Sequence, residues 1–174
     1  MKSKYDNTTI GIFPSRDGFG WMVFDGPLGA YQWGASALAK NERTPDAKNA
    51  RCLAGIERLL SKYRPAIVVI EAFEGPGTKR HERIKHLCRS IIALSATHRL
   101  PVRIITRADI RTCFTSTKAV TRQQTATTVA RWVKELRRLA PIERRLWEGE
   151  DPNMALFNAT ALLIAHYAIP WERG

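Results

Sequence analysis

Acidic residues are scarce in this chain. Its 174 residues carry 16 Asp and Glu against 28 Lys and Arg, a formal net charge of +12 with a pI near 10.2. Such a balance points to a polyanionic partner, because clustered cationic side chains neutralise phosphates and release their counterions. Cysteine is equally sparse. Cys52, Cys88 and Cys113 are odd in number, far apart and form no CxxC pair, so neither a zinc site nor a disulfide framework is expected. A reducing, cytoplasmic setting fits that usage. No apolar run reaches the ~18 residues that a membrane span needs. The start, Met1-Lys2-Ser3-Lys4, has no apolar core of the kind a signal peptide carries.

Other chemistry is missing too. His81, His86, His98 and His166 show no metal-ligand spacing, and Ser15 and Ser116 have no recognisable His/Asp partners. Nucleophilic hydrolysis therefore has no support. A Gly-rich phosphate loop is lacking beyond Gly75-Pro76-Gly77, which argues against an actin-like phosphotransferase. There is no internal repeat or low-complexity segment. What is present is ordinary folded sequence, 44% hydrophobic and 9% aromatic, long enough to bury one core and expected to form one domain over residues 1–174.

Along the chain, residues 8–13 and 19–25 read as a hairpin around Gly18 and Gly20, and Tyr31–Leu38 as a third strand. Apolar residues recurring at three and four predict a helix over 46–63, stopped by Pro65. Ala66-Ile67-Val68-Val69-Ile70-Glu71 is a continuous apolar run closed by a carboxylate, the pattern of a central strand covered on both faces. A helix over 80–98, a strand over 102–105 and a short helix over 108–114 follow. After a polar loop at 115–121, a helix is predicted over 121–139 with Val129, Trp132, Val133 and Leu136 inward. The last helix, 155–168, is apolar all round and expected to be buried. The order is α/β, with a mixed sheet whose first three strands are antiparallel and whose later strands are parallel, flanked by helices. Phe13 and Glu71 end two strands, at the edge where open α/β sheets hold ligands.

Four segments carry a resemblance. They are Ile10-Gly11-Ile12-Phe13-Pro14 with Gly18 and Gly20, the strand ending Val69-Ile70-Glu71, the segment from Ile105-Thr106-Arg107 through a basic loop to Thr121-Arg122-Gln123-Gln124, and the helix Met154 to Leu162. In order and spacing they resemble the RuvC-like Holliday junction resolvases of the ribonuclease H-like superfamily. The resemblance implies that fold, a homodimer, a DNA partner and a carboxylate site for Mg²⁺ or Mn²⁺. Two such ions activate water and stabilise the leaving oxygen in phosphodiester hydrolysis, and hard cations need oxygen ligands.

Carried over by position, the family's glutamate is Glu71. Its first-strand aspartate falls on Phe13, and its last-helix acids fall on Ala155 and Asn158. Asn158 offers only a neutral oxygen. Asp151, just before the last helix, is the nearest remaining carboxylate, so the candidate catalytic set is Glu71, Asp151 and Asn158, and the candidate metal ligands are Glu71 and Asp151. Asp17 is a conceivable substitute, although its place before Gly18 is that of a turn residue. A site so depleted is expected to hold Mg²⁺ or Mn²⁺ weakly or not at all.

Basic residues gather near the same strand ends. Lys79, Arg80 and Arg83 open the second helix, Lys118 and Arg122 lie where the family contacts phosphate, and Arg16 sits in the first turn. These six are the candidate nucleic-acid contacts. The helix beginning near Thr121 adds amide donors and a dipole. Arg131, Lys134, Arg137, Arg138, Arg144 and Arg145 read more simply as a solvated face. Of the tryptophans, Trp132 is expected in the core. The leading expectation is a domain that binds branched or double-stranded DNA with nuclease activity absent or much reduced. A divergent metal-dependent endonuclease using Glu71 and Asp151 is one alternative, and a protein-interaction module on a retained nuclease fold is another.

Overall fold

The computed structural model describes residues 7–142 and 150–172. Arg144, Arg145 and Trp147 lie outside them. Five strands, β1 (Thr8–Ser15), β2 (Gly18–Asp25), β3 (Ala30–Ala37), β4 (Ile67–Glu71) and β5 (Val102–Ile105), form one sheet in the order β3-β2-β1-β4-β5. The β1–β2 and β2–β3 pairs are antiparallel, whereas β1–β4 and β4–β5 are parallel. Five α-helices accompany them: α1 (Pro45–Tyr63), α2 (Glu82–Thr97), α3 (Arg107–Cys113), α4 (Arg122–Trp132) and α5 (Met154–Ala168).

The two faces of the sheet follow the alternation of a pleated strand. Ile10 and Ile12 of β1, Val23 of β2 and Val68 and Ile70 of β4 pack with Ile56, Leu60, Leu87 and Ile91 of α1 and α2. Phe13, Met22, Phe24 and Val69 turn to the other side, against Leu156, Ala159 and Leu163 of α5. Every residue of α5 from Met154 to Ala165 is buried, because α3 and α4 cover the helix from outside while its inner side meets the sheet. Gly20 and Gly11 permit that approach. A Cβ on Gly20 would run into the backbone of Ala155 and Leu156, and one on Gly11 into the carbonyl of Ala159.

The predicted helix over 121–139 is corrected. The α-helix stops at Trp132, Val133 is extended, and a 3-10 segment runs over Lys134–Leu139. Val133, Leu136 and Leu139 are three apart, the repeat of a 3-10 turn, so Val133 and Leu136 stay buried after the break. Trp132 is left off that line. It is 38% exposed and stacks on Phe114 at 5.1 Å between ring centroids, at the surface rather than in the core. A short 3-10 turn, Thr115–Thr117, also interrupts the expected polar loop.

Candidate nucleic-acid interface

β1 and β4 run side by side with Gly11 opposite Val69. Two residues beyond that pair, on the face turned to α5, come Phe13 and Glu71. Tertiary packing thus brings together the two positions that the sequence singles out. Glu71 is only 7% exposed, and its partner is Arg122 from the first turn of α4. Nη1 of Arg122 donates to Oε1 at 3.3 Å and Nη2 donates to Oε2 at 3.0 Å, a two-point fork-to-carboxylate contact. The Phe13 ring lies below two guanidinium groups, with Arg80 Cζ 4.7 Å and Arg122 Cζ 5.0 Å from its centroid. Such cation–π contacts hold a partly desolvated cation over the negative face of a ring. Arg80 also donates to the Pro14 carbonyl at the end of β1.

These residues do not fit a divalent metal. Phe13 supplies no ligand atom, and Ala155, whose backbone packs against Gly20, has only a methyl side chain. Asn158 is buried within α5. Glu71, the buried carboxylate of this corner, faces guanidinium rather than further oxygen donors, whereas Mg²⁺ or Mn²⁺ needs an oxygen cage. Asp151 is elsewhere. Its Oδ1 accepts from the Asn153 amide at 2.8 Å, leading into α5. It lines a cleft of about 270 Å³ together with Ser15, Arg16, Asp17 and Glu150, and Glu71 is not part of that lining. Among the described residues no three His, Cys, Asp or Glu side chains gather as a metal-binding group.

What gathers around Glu71 is positive. A cleft of about 550 Å³ is lined by Lys79, Arg80, Arg107, Arg111 and Arg122 beside Glu71, Thr121 and exposed Val120. Five cations and one carboxylate line this cleft, a formal excess of four positive charges. Arg107 and Arg111 are not among the six contacts expected from the sequence. Their signal is local: Thr106 and Asp109 form a capping box that starts α3 directly after β5. The four-residue spacing then sets both arginines on one helical face. Burial pushes the Arg107 pKa down and nearby Arg122 adds to the shift, with Glu71 opposing. Arg80 is lowered likewise by burial, again against the pull of Glu71.

Neighbouring clefts share lining residues and so continue one another. Lys79 and Arg80 also line a hollow of about 600 Å³ with Arg16, Lys48, His81 and Arg83. Thr121 joins the Glu71 cleft to another of about 650 Å³ that contains Lys118, Gln123 and Arg131. Arg16, Lys79, Arg80, Lys118 and Arg122 therefore border one basic run across the strand ends. Half-buried Arg83 is engaged in intramolecular hydrogen bonds. Its guanidinium donates to Asn49 Oδ1 and to the Ser15 and Arg16 carbonyls at 3.0–3.1 Å, tying α2 to the β1–β2 turn. The start of α4 is also less open than expected. The Gln124 side chain accepts from the Val120 and Thr121 amides, and Thr121 Oγ1 accepts from the Gln124 amide. Arg89 of α2 pairs with Glu74 at the surface.

No protein-family model matches the chain and no curated protein matches it in sequence. Solved structures do match. RuvC of Thermus thermophilus superposes with a TM-score of 0.66 at 14% identity, over 92% of this chain and 93% of that one. The same organism's RuvC in complex with a Holliday junction substrate gives 0.63 at 14% identity, over 92% of each chain. The yeast mitochondrial Holliday junction resolvase Ydc2 gives 0.55 at 14% identity, over 95% of this chain and 81% of that one. At such identity the shared property is the fold, which is that of the RuvC resolvases, with its mixed five-stranded sheet and flanking helices.

Proposed function

We propose that this RuvC-fold chain is a nucleic-acid-binding domain that takes branched or double-stranded DNA along the basic run at its strand ends, and cuts it slowly or not at all. The observation that carries the reading is the corner of β1 and β4. There Phe13 stands where the resemblance calls for a carboxylate, and Glu71 is held by Arg122 in a cleft with a four-charge positive excess. Guanidinium forks suit phosphate oxygens as they suit carboxylates. Contacts to phosphate position a duplex without reading its bases, so the expected selectivity is for shape rather than sequence. The RuvC likeness further supports a homodimer that presents two such clefts to a branched substrate, and the cysteine usage supports a cytoplasmic location.

The test is binding and cleavage of a four-way junction and a matched linear duplex, with Mg²⁺ or Mn²⁺ present. The expected result is salt-sensitive binding with no or slow cleavage. Efficient metal-dependent cleavage that Glu71→Gln abolishes would overturn the reading in favour of a divergent endonuclease. Failure to bind either DNA at moderate salt would instead favour an acidic protein partner.

A further inference from the structure

In metal-dependent phosphodiester chemistry, ions supply the positive charge that receives the phosphate. At this corner the charge is supplied by side chains. Arg122 and Arg80 converge on the Phe13 ring, and Arg107, Arg111 and Lys79 complete the wall. Only Arg122 among these five has a carboxylate partner within ion-pair distance, in the described residues, and that partner is Glu71. Four like charges crowd a half-enclosed space, and an anion entering it relieves their mutual repulsion. The depressed pKa of Arg107 has that crowding as one of its causes, after burial.

The Glu71–Arg122 contact has a second consequence. A carboxylate presents two oxygens to a guanidinium fork much as a phosphodiester presents its two non-bridging oxygens. Arg122 is about one-third exposed while Glu71 is buried, so an incoming phosphate reaches the arginine from the solvent side while the carboxylate holds it from within. Both draw on the same five N–H donors.

We propose that the Glu71 cleft is a metal-independent phosphate site in which the Glu71 carboxylate competes with the bound phosphate for Arg122. The inference deepens the DNA-binding reading above, and rests on it for the identity of the natural phosphate. Binding there needs no divalent ion. It is restrained by the residue that a metal-dependent enzyme would use as a ligand.

The experiment uses six full-length proteins: wild type, Glu71→Gln, Arg122→Gln, Arg122→Lys, and Glu71→Gln combined with each of the two Arg122 variants. Junction binding is measured by fluorescence anisotropy in EDTA and in Mg²⁺ at matched ionic strength. Equal affinity in the two buffers is expected, and a tenfold or larger gain with Mg²⁺ would overturn metal independence. Glu71→Gln is expected to tighten binding about threefold to tenfold, the net worth of one ordinary hydrogen bond freed for the phosphate. In the Arg122→Gln background the same change is expected to have less than about twofold effect. A gain of the same size in both backgrounds would mean simple charge removal and would overturn the competition. Arg122→Lys, which keeps the charge but loses the fork, guards against a folding defect; it is expected to bind more weakly than wild type and to respond to Glu71→Gln only partly. Inorganic pyrophosphate, followed in EDTA through the Arg Nε–H NMR signals, separates this inference from the one beneath it. Shifts at Arg107 and Arg122 without any DNA binding would uphold the phosphate site while removing DNA as its ligand. No shift at either arginine would overturn the site itself.

Discussion

Replacing Arg122 with Gln removes the two-point partner of a carboxylate that is 7% exposed. Opposite charges about 4 Å apart at an effective dielectric of 20 attract by roughly 4 kcal/mol. Two features reduce the net loss. The Arg122 side chain is 32% exposed, so water already screens part of the pair, and Arg80 and Arg107 remain near Glu71 after the substitution. The cost is therefore expected near 2 kcal/mol, below the 3–5 kcal/mol typical of a fully buried pair that loses one partner. For a domain of this length that corresponds to a fall of about 4–8 °C in Tm. Glu71→Gln leaves a partly solvated cation rather than a buried anion, and is expected to cost about 1 kcal/mol. Because both variants break one contact, the double variant should be less damaged than the sum, with a coupling of about 1–2 kcal/mol. Urea unfolding of the four proteins, followed by circular dichroism, measures that coupling. A value under about 0.5 kcal/mol, within ordinary additivity, would refute the claim that the pair is a held contact.

Four further outcomes follow from the same structure. Gly20→Ala drives a methyl into the α5 backbone and should destabilise the fold by about 3 kcal/mol, the upper end of overpacking costs; urea midpoints that match wild type would show that α5 shifts freely. Junction affinity should fall with salt at a log–log slope near −5, from roughly six phosphate contacts along the basic run at −0.9 each, whereas a slope above about −2 would point to a few contacts only. Burial pushes the Cys88 thiol up to about 11, with Arg80 opposing. The folded state then keeps a proton that the unfolded chain loses from about pH 8.5, so stability should decline as pH rises from that point to about 11, and less steeply in Cys88→Ala; equal slopes would exclude the thiol as a cause. Phe13→Asp alone should not create Mg²⁺-dependent cleavage, because the new carboxylate would meet Arg80 and Arg122; cleavage of a labelled junction by this variant would contradict that geometry.

Much of the scaffold is legible in the sequence. β5 spans the predicted Val102–Ile105, and α1 and α5 begin within one residue of expectation, since apolar period, Pro and Gly act locally. The end of α4 was not legible. A spacing of three and four suits an α-helix until Val133 turns extended, and only contact with the core favours the 3-10 line through Leu136. Arg107 and Arg111 fall outside the expected contacts for a related reason: as two arginines in a short helix they look like surface, and only the packing of β5 beside β4 brings them to the Glu71 cleft.

Asp151 illustrates the limit from the other side. Its place just before α5 puts it beside Glu71 in the sequence-based expectation, yet its carboxylate accepts from the Asn153 amide and lines a different cleft. Separation along a helix start does not specify the direction of a side chain.

By itself the sequence determined the scarcity of carboxylates at the strand ends, because residue identity decides which atoms exist. Phe13, Ala155 and Asn158 stand where the resemblance expects acids, so those three positions supply no carboxylate. It also determined the basic surplus and the placing of Phe13 and Glu71 near the ends of their strands. Only the tertiary structure decided what replaced the missing ligands. The fork of Arg122 on Glu71, and the two guanidinium groups over Phe13, join residues from β1, β4, α4 and the segment before α2. Such distant residues meet because burying α5 against Gly11 and Gly20 fixes the layers, and a buried carboxylate then requires whichever cation the layers bring within reach.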